Sequence, residues 1–186
     1  MVIIAVIAIA ALISLARVIF FPATTSTPVE EDTSRVSLLD SSNGHSVRMN
    51  VRGPIVADEE FNSYQITVSN NNRNIKTYTG YLDTIVEQIN LGNSVPAYEQ
   101  FVHALDKADL ADGVELEGEN DDLRGICATG RVYEFFILEG GASVKHLWTS
   151  TCNGSRGSLD ANVNQVSELF VRQIPDADSL IRQVGL

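Results

Sequence analysis

Hydrophobic and polar positions divide the chain into two parts of different character. Residues 2–21 form an apolar run that is interrupted by one charged residue, Arg17. At a rise of about 1.5 Å per residue, twenty helical residues span about 30 Å, which is the thickness of a bilayer's hydrocarbon core. After Phe21 the sequence is that of a polar, acidic globular domain. The pattern predicts an N-terminal transmembrane anchor over residues 1–21.

Three interpretations compete for this run: a retained anchor, a cleaved signal peptide and a buried helix of the globular domain. A cleaved signal has a basic segment before the run and small residues at its exit, but only Met1 precedes it and Phe20-Phe21-Pro22 ends it. A core helix would show a polar stripe, which residues 2–13 lack. We therefore expect a retained single span, with Arg17 extending its long side chain to the headgroups.

A short low-complexity segment separates the run from the remaining chain. Pro22–Ser34 contains prolines, hydroxyl residues and acids, which bury too little apolar surface to fold. We assign a flexible linker to residues 22–35 and one domain to residues 36–186, which is long enough to form a hydrophobic core.

Alternation with period two predicts strands in several segments of this domain. In the first, Val47, Met49 and Val51 lie on one face and polar residues lie on the other, which is typical of a half-buried strand. Residues 70–74 are rich in Asn and favour a turn between two strands. The predicted strands are Ser46–Arg52, Tyr64–Ser69, Ile75–Thr79, Gly130–Leu138 and Ser143–Cys152.

A period near 3.6 predicts three main helices, and a short helix over Asp176–Val184 closes the chain. Gly92 is placed to end the first helix, Pro96 to open the second, and Asp160 to cap the third. The apolar stripes are Leu82, Ile85, Val86 and Ile89, then Tyr98, Phe101, Val102, Leu105 and Ala108, then Val163, Val166, Leu169 and Phe170. The order of elements predicts an α+β fold, a mainly antiparallel sheet with helices packed on one face.

The two cysteines, Cys127 and Cys152, flank the second hairpin. A two-residue turn at Glu139-Gly140 would place them directly opposite each other, within the Cα separation that a disulfide requires. This register predicts three further cross-strand pairs: Arg131 with Trp148, Tyr133 with His146, and Phe135 with Val144. We expect a disulfide and therefore an oxidising compartment, the alternative being two unrelated buried thiols in a cytosolic protein.

The membrane orientation follows from two opposing signals. Arg17 lies near the end of the apolar run and Arg35 lies after it, whereas no Lys or Arg precedes the run. The positive-inside rule alone therefore places the domain in the cytoplasm. The expected disulfide and the linker rich in Thr, Ser and Pro favour the opposite side. We favour a cell-membrane location, single-pass, with the C-terminal domain outside the cytoplasm.

Charge and motifs restrict the possible chemistry. The formal net charge of −11 disfavours nucleic-acid binding and is compatible with a cationic partner or an envelope protein. His45, His103 and His146 lack metal-ligand spacing, and the acidic loop at residues 111–122 lacks the ligand order of an EF-hand. We expect no catalytic, cofactor-binding or metal-ligating residues, so the sequence does not favour an enzyme.

Three segments carry a resemblance to a known kind of protein. They are CATGRVYEF from Cys127, LWTSTC ending at Cys152, and LFVRQIP ending at Pro175. Their spacing resembles that of uncharacterised single-pass exported envelope proteins of small-genome, uncultivated bacteria. The resemblance covers roughly residues 45–180. It implies a bacterial, membrane-anchored exported protein, and it implies no catalytic residues.

Two functions of different classes fit these observations, with a cell-envelope enzyme as a third. The first is a non-enzymatic, membrane-anchored extracytoplasmic domain that binds a ligand or partner. The alternative is a pilin-like structural subunit, which would also combine an N-terminal apolar helix, a small sheet and a disulfide. The linker at residues 22–34 argues against the alternative, because a pilin needs a continuous helix there.

Overall fold

The computed structural model describes residues 33–154 and 157–186. They form one six-stranded antiparallel sheet in the order β4-β3-β2-β1-β5-β6, with helices on one face. The strands are β1 (His45–Arg52), β2 (Asn62–Ser69), β3 (Asn72–Thr79), β4 (Thr84–Gly92), β5 (Val132–Glu139) and β6 (Ala142–Ser150). The helices are α1 (Thr33–Leu39), α2 (Val95–Asp106), α3 (Val163–Val171) and α4 (Ala177–Gln183), with short 3-10 turns at Asp58–Glu60 and Gly118–Asp121. The predicted α+β sheet fold is confirmed.

The core lies between the helices and one face of the sheet. Val47, Met49 and Val51 of β1 are fully buried, as the period-two pattern predicts. Phe101 of α2 and Phe135 of β5 both contact Phe170 of α3, with ring centroids 5.2 and 5.9 Å apart. Each fully buried side chain of this size contributes roughly 1.5–3 kcal/mol by leaving water. The helices are therefore held by the apolar face of the sheet.

The second and third predicted helices and the closing helix are confirmed. The stripe of α2 is buried from Tyr98 to Leu105, as its spacing predicts. The start of α3 differs from the expectation, because the cap is Asn162 and not Asp160. The Asn162 carboxamide oxygen accepts hydrogen bonds from the backbone N–H groups of residues 164 and 165, which have no partner within the helix.

The helix predicted over residues 82–89, with Gly92 as its end, is wrong: residues 82 and 83 lie in a turn, and strand β4 begins at Thr84. Ile89 lies opposite Ile75 and Gly92 opposite Asn72 in the ladder with β3. Three of the four apolar residues that suggested a helix are β-branched, and such side chains favour the extended backbone. A tight turn with Asp83 at φ 53° returns the chain directly into the sheet.

The predicted register of the second hairpin is also wrong. Phe135 lies opposite Leu147, Phe136 opposite His146, and Glu134 opposite Trp148. The turn is Gly140-Gly141, with φ values of 59° and 85°, a conformation that glycine adopts most readily. Val144 is then left out of the ladder as a bulge, which moves every later pair by one more position.

The disulfide between Cys127 and Cys152 is formed, with Cα atoms 5.2 Å apart. The pairing is as predicted, but the two residues are not opposed within the ladder. Cys127 lies in the turns before β5 at φ 57°, and Cys152 follows the end of β6. Together with Val132 and Trp148 they form a second, smaller core, against which Leu116, Leu123 and Ile126 pack.

The predicted anchor at residues 1–21 and most of the predicted linker lie outside the described residues. The last three linker residues, Thr33–Arg35, belong to α1, so the folded part begins before residue 36. Among the described residues, no helix is both long and apolar enough to cross a membrane.

Candidate functional site: the open face of the sheet

The sheet face away from the helices carries mostly polar side chains. Because alternate residues point to opposite faces, every strand with a buried apolar row also presents a polar row on the other side. The loop at residues 111–127 covers one end of this face, above Val132 and Trp148. The polar rows in the middle of the sheet consist of Arg48, Asn50, Arg52, Gln65, Thr67, Asn74, Lys76 and Glu134.

A cavity of about 410 Å³ lies between the open face and the edge of this loop. Strands β1, β2, β3, β5 and β6 supply its floor, and the β3–β4 turn and the loop supply its walls. Its lining residues are Asn50, Arg52, Ser63, Tyr64, Gln65, Tyr78, Asp83, Asp121, Leu123, Arg124, Glu134 and His146. The lining mixes amides, hydroxyls, carboxylates and cations, so it can both donate and accept hydrogen bonds.

A chain of ion-pair contacts crosses the floor of this cavity. Arg52 Nε lies 3.2 Å from Glu134 Oε1, and Glu134 Oε2 lies 3.4 Å from His146 Nε2. The other imidazole nitrogen, Nδ1, lies 3.4 Å from Asp121 Oδ2 in the loop. The imidazole also stacks on Phe136, with ring centroids 4.4 Å apart and an interplanar angle of 6°. His146 therefore joins the loop to the sheet.

The charge of His146 is set by this environment. Burial opposes protonation, but the Glu134 and Asp121 carboxylates together outweigh it and raise the pKa of His146 above its ordinary value. Only a protonated imidazole can donate to both carboxylates at once, because a neutral ring carries a single N–H. The loop contact is therefore favoured when the ring is charged.

Several polar atoms at this cavity make few or no hydrogen bonds within the chain. Gln65 Nε2 donates to Asn50 Oδ1 over 3.0 Å, which uses one polar atom of each amide. Among the described residues, Arg52 Nε, Asp121 Oδ1 and His146 Nε2 are buried without a hydrogen-bond partner of good geometry. Buried polar atoms in folded proteins are normally satisfied, so such a group is a feature expected of a binding site.

A second cavity of about 240 Å³ adjoins the first, sharing Arg52, Leu123 and Arg124 with it. Its walls are mainly apolar, and they include the exposed ring of Tyr81 and the side chain of Ile55. The remaining lining residues are Gly53, Phe61, Gly125, Ile126 and Val132. We call the larger space the polar cavity and the smaller one the apolar cavity.

The structure brings together some of the residues that the sequence singled out and separates others. Cys127 and Cys152 meet, whereas His45 pairs with Asp40 at 3.4 Å and His103 is exposed on α2. Among residues 33–154 and 157–186, no group of three or more His, Cys, Asp or Glu side chains is placed to hold a metal ion.

Sequence reasoning missed the grouping of Glu134, His146 and Asp121 at the polar cavity. The alternation along β5 and β6 contained the signal, because it places Glu134 and His146 on the face opposite to the buried apolar row. The incorrect hairpin register hid it by facing His146 with Tyr133 instead of Phe136.

Comparison with known proteins adds no family to this description. No protein-family model matches the chain, and no curated protein matches it in sequence.

Proposed function

We propose that the chain is a membrane-anchored, extracytoplasmic domain that binds a ligand in the cavities of its open sheet face. The observation that carries the binding proposal is the polar cavity, where groups from five strands, a turn and a loop converge. Ligand sites in proteins are concave and have a few convergent polar groups, and their volume of roughly 300–1,000 Å³ includes that of this cavity.

The location outside the cytoplasm is supported by the disulfide and by the apolar run. The Cys127–Cys152 disulfide is part of the second, smaller core, and disulfides form and persist in oxidising compartments. Residues 2–21 have the length and composition of a single span. The bound ligand would therefore come from the envelope or the medium.

Binding can be tested by ligand-induced stabilisation of the full-length protein. The thermal unfolding temperature is measured with a panel of amino acids, short peptides, polyamines, divalent cations and saccharides. A compound that binds the folded protein raises this temperature, and the increase grows with the logarithm of the ratio of its concentration to its dissociation constant. We expect at least one class to do so.

Matched variants locate the site. Gln65→Trp places a large side chain on the cavity floor and should abolish the stabilisation. Asn164→Trp, on the exposed side of α3, should retain it. A panel without effect, or a stabilisation that survives Gln65→Trp, would contradict the proposal.

A further inference from the structure

The geometry points to a neutral saccharide as the ligand of the open face, with one sugar ring on Tyr81 and its neighbour in the polar cavity. This inference rests on the proposed function, since it names the ligand class of the same site. Three properties of the site carry it: a rigid aromatic platform, charges that are already paired, and a mixture of hydrogen-bond donors and acceptors.

Tyr81 forms the platform in the apolar cavity. Its side chain is 47% exposed, yet the ring is stacked on Phe61 with centroids 4.1 Å apart and an interplanar angle of 16°. The hydroxyl group donates to the carbonyl oxygen of Val56 over 2.8 Å and accepts from its N–H over 3.2 Å. A ring held in this way loses little freedom on binding, so it is preorganised for a flat apolar surface.

Asp58 fixes the backbone beneath this ring. Its carboxylate accepts a hydrogen bond from the backbone N–H of Tyr81 over 2.8 Å.

The C–H groups on one face of a pyranose ring form a flat apolar surface, and they carry partial positive charge toward the negative face of an aromatic ring. The apolar cavity thus fits the least polar face of a sugar.

The charges around the site disfavour an ionic ligand of either sign. A cation could rest on the face of Tyr81, but Arg52 and Arg124 line the same cavity and would repel it. An anion would meet Asp83, Asp121 and Glu134 in the polar cavity.

The two arginines are moreover already committed to carboxylates. Arg52 contacts Glu134, and Arg124 hydrogen-bonds to Asp122. A charged ligand would have to compete with the Arg52–Glu134 pair or leave a charge uncompensated, which is costly because the Glu134 side chain is only 13% exposed. The Arg124–Asp122 pair lies at the surface, with the Arg124 side chain 90% exposed, and adds little to this cost. A neutral ligand meets neither penalty.

The hydroxyl groups of a sugar can pair with both the hydrogen-bond donors and the hydrogen-bond acceptors of the polar cavity. Each hydroxyl can accept from the Arg52 guanidinium or the Asn50 amide and donate to a carboxylate such as Asp121. Most of the cavity floor is formed by the interior strands β1, β2, β3 and β5, whose backbone groups are already paired on both sides in the sheet. An extended peptide that adds to a sheet needs a free edge, so the position favours a saccharide over a peptide.

The test is calorimetric titration of the full-length protein in a detergent without a sugar headgroup. The neutral probes are maltotetraose, cellotetraose and the tetramer of N-acetylglucosamine. The cationic glucosamine tetramer and the anionic tetramer of galacturonate are charged probes of the same length. We expect saturable binding of at least one neutral probe and weaker binding of both charged ones.

Variants separate the platform from the rest of the surface. Tyr81→Ala should weaken binding by about tenfold or more, and Tyr81→Phe should weaken it less, because the stacked ring is kept. Asn50→Ala should also weaken binding. Leu82→Ala is the control, since Leu82 is 92% exposed next to Tyr81 and lines neither cavity.

The inference would be overturned if no neutral probe bound, if a charged probe bound more tightly, or if Tyr81→Ala bound as the wild type does. These results can be distinguished from failure of the proposed function. If a peptide, polyamine or cation stabilises the protein and Gln65→Trp abolishes the effect, the site stands and the ligand class is wrong. If no compound acts through the cavity, both fail.

Discussion

At the scale of single residues, His146 shows how a polar side chain can organise a site without a recognisable motif. Its two ring nitrogens face carboxylates from different elements, Glu134 on β5 and Asp121 in the loop. Arg52 contacts the far side of Glu134, and the backbone N–H of His146 donates to Glu115. The ring therefore connects two acidic groups that would otherwise repel each other.

The raised pKa of His146 predicts a specific dependence of stability on pH. A pKa that is higher in the folded state stabilises the fold fully below the unfolded value of about 6.5, and this contribution is lost as the pH rises through the folded value. The difference in unfolding temperature between the wild type and His146→Gln should thus be largest at about pH 5.5 and should shrink by about pH 9.

His103→Gln is the matched control for this experiment, because His103 is exposed on α2 and has no part in the cavity. The same pH series on this variant shows how much of the change comes from replacing an imidazole outside the cavity. If the His146→Gln difference grew with pH, the ring would be stabilised as the neutral form, contrary to the geometry.

At the scale of elements, the pattern of hydrophobic and polar positions in the sequence predicted some elements correctly and others incorrectly. The half-buried strands β1 and β2 and the stripe of α2 followed from periodicity, because one face of each contacts the core. Strand β4 was missed, since it lies at the sheet edge and most of its side chains are exposed, which leaves no alternation to read. The hairpin register was missed because the turn is Gly140-Gly141 and not Glu139-Gly140, and because the bulge at Val144 shifts the remaining pairs once more.

The candidate site could be predicted only where it depends on residues near in sequence. The disulfide was found because both cysteines lie just beyond the ends of one hairpin. The polar cavity was not, because it joins a turn near Asp83 to a loop near Asp121 across five strands. Tyr81 was overlooked because the segment after it was interpreted as a helix.

The disulfide predicts a measurable loss of stability in the double variant Cys127→Ser/Cys152→Ser. The bridge joins residues 25 apart, which in the chain-entropy model corresponds to about 3.5 kcal/mol and to a fall in unfolding temperature of roughly 10 °C for a domain of this size. Thermal unfolding followed by circular dichroism measures the change.

Reduction provides the internal control for that variant. A reductant should lower the unfolding temperature of the wild type toward that of the double variant and should leave the variant unchanged. If the reduced wild type remained as stable as the oxidised protein, the bridge would contribute nothing to the fold.

At the scale of the whole molecule, a folded unit follows the proposed anchor in the chain. The described residues, 33–154 and 157–186, form one compact unit, and Leu38 of α1 is completely buried in its core. A chain beginning at residue 36 would therefore lose the first three of the seven residues of α1. Only its first three residues, Thr33–Arg35, were assigned to the linker from the sequence, and they belong to the helix.

The anchor proposal predicts different solubility for two lengths of chain. Residues 32–186 should purify as a folded, soluble domain, because their apolar side chains are mainly buried. The full chain should sediment with membranes and require detergent, because residues 2–21 are apolar. If the full chain stayed in the supernatant and the shorter one aggregated, residues 2–21 would belong to the folded core.

The most direct test of the central claim is to label a single exposed cysteine in intact cells. Leu82→Cys places a thiol on a side chain that is 92% exposed, while Cys127 and Cys152 are held in the disulfide. A membrane-impermeant maleimide should then label this variant without permeabilisation and leave the wild type unlabelled. Labelling only after permeabilisation, with Cys127 and Cys152 also reactive, would place the domain in the cytoplasm and contradict the account.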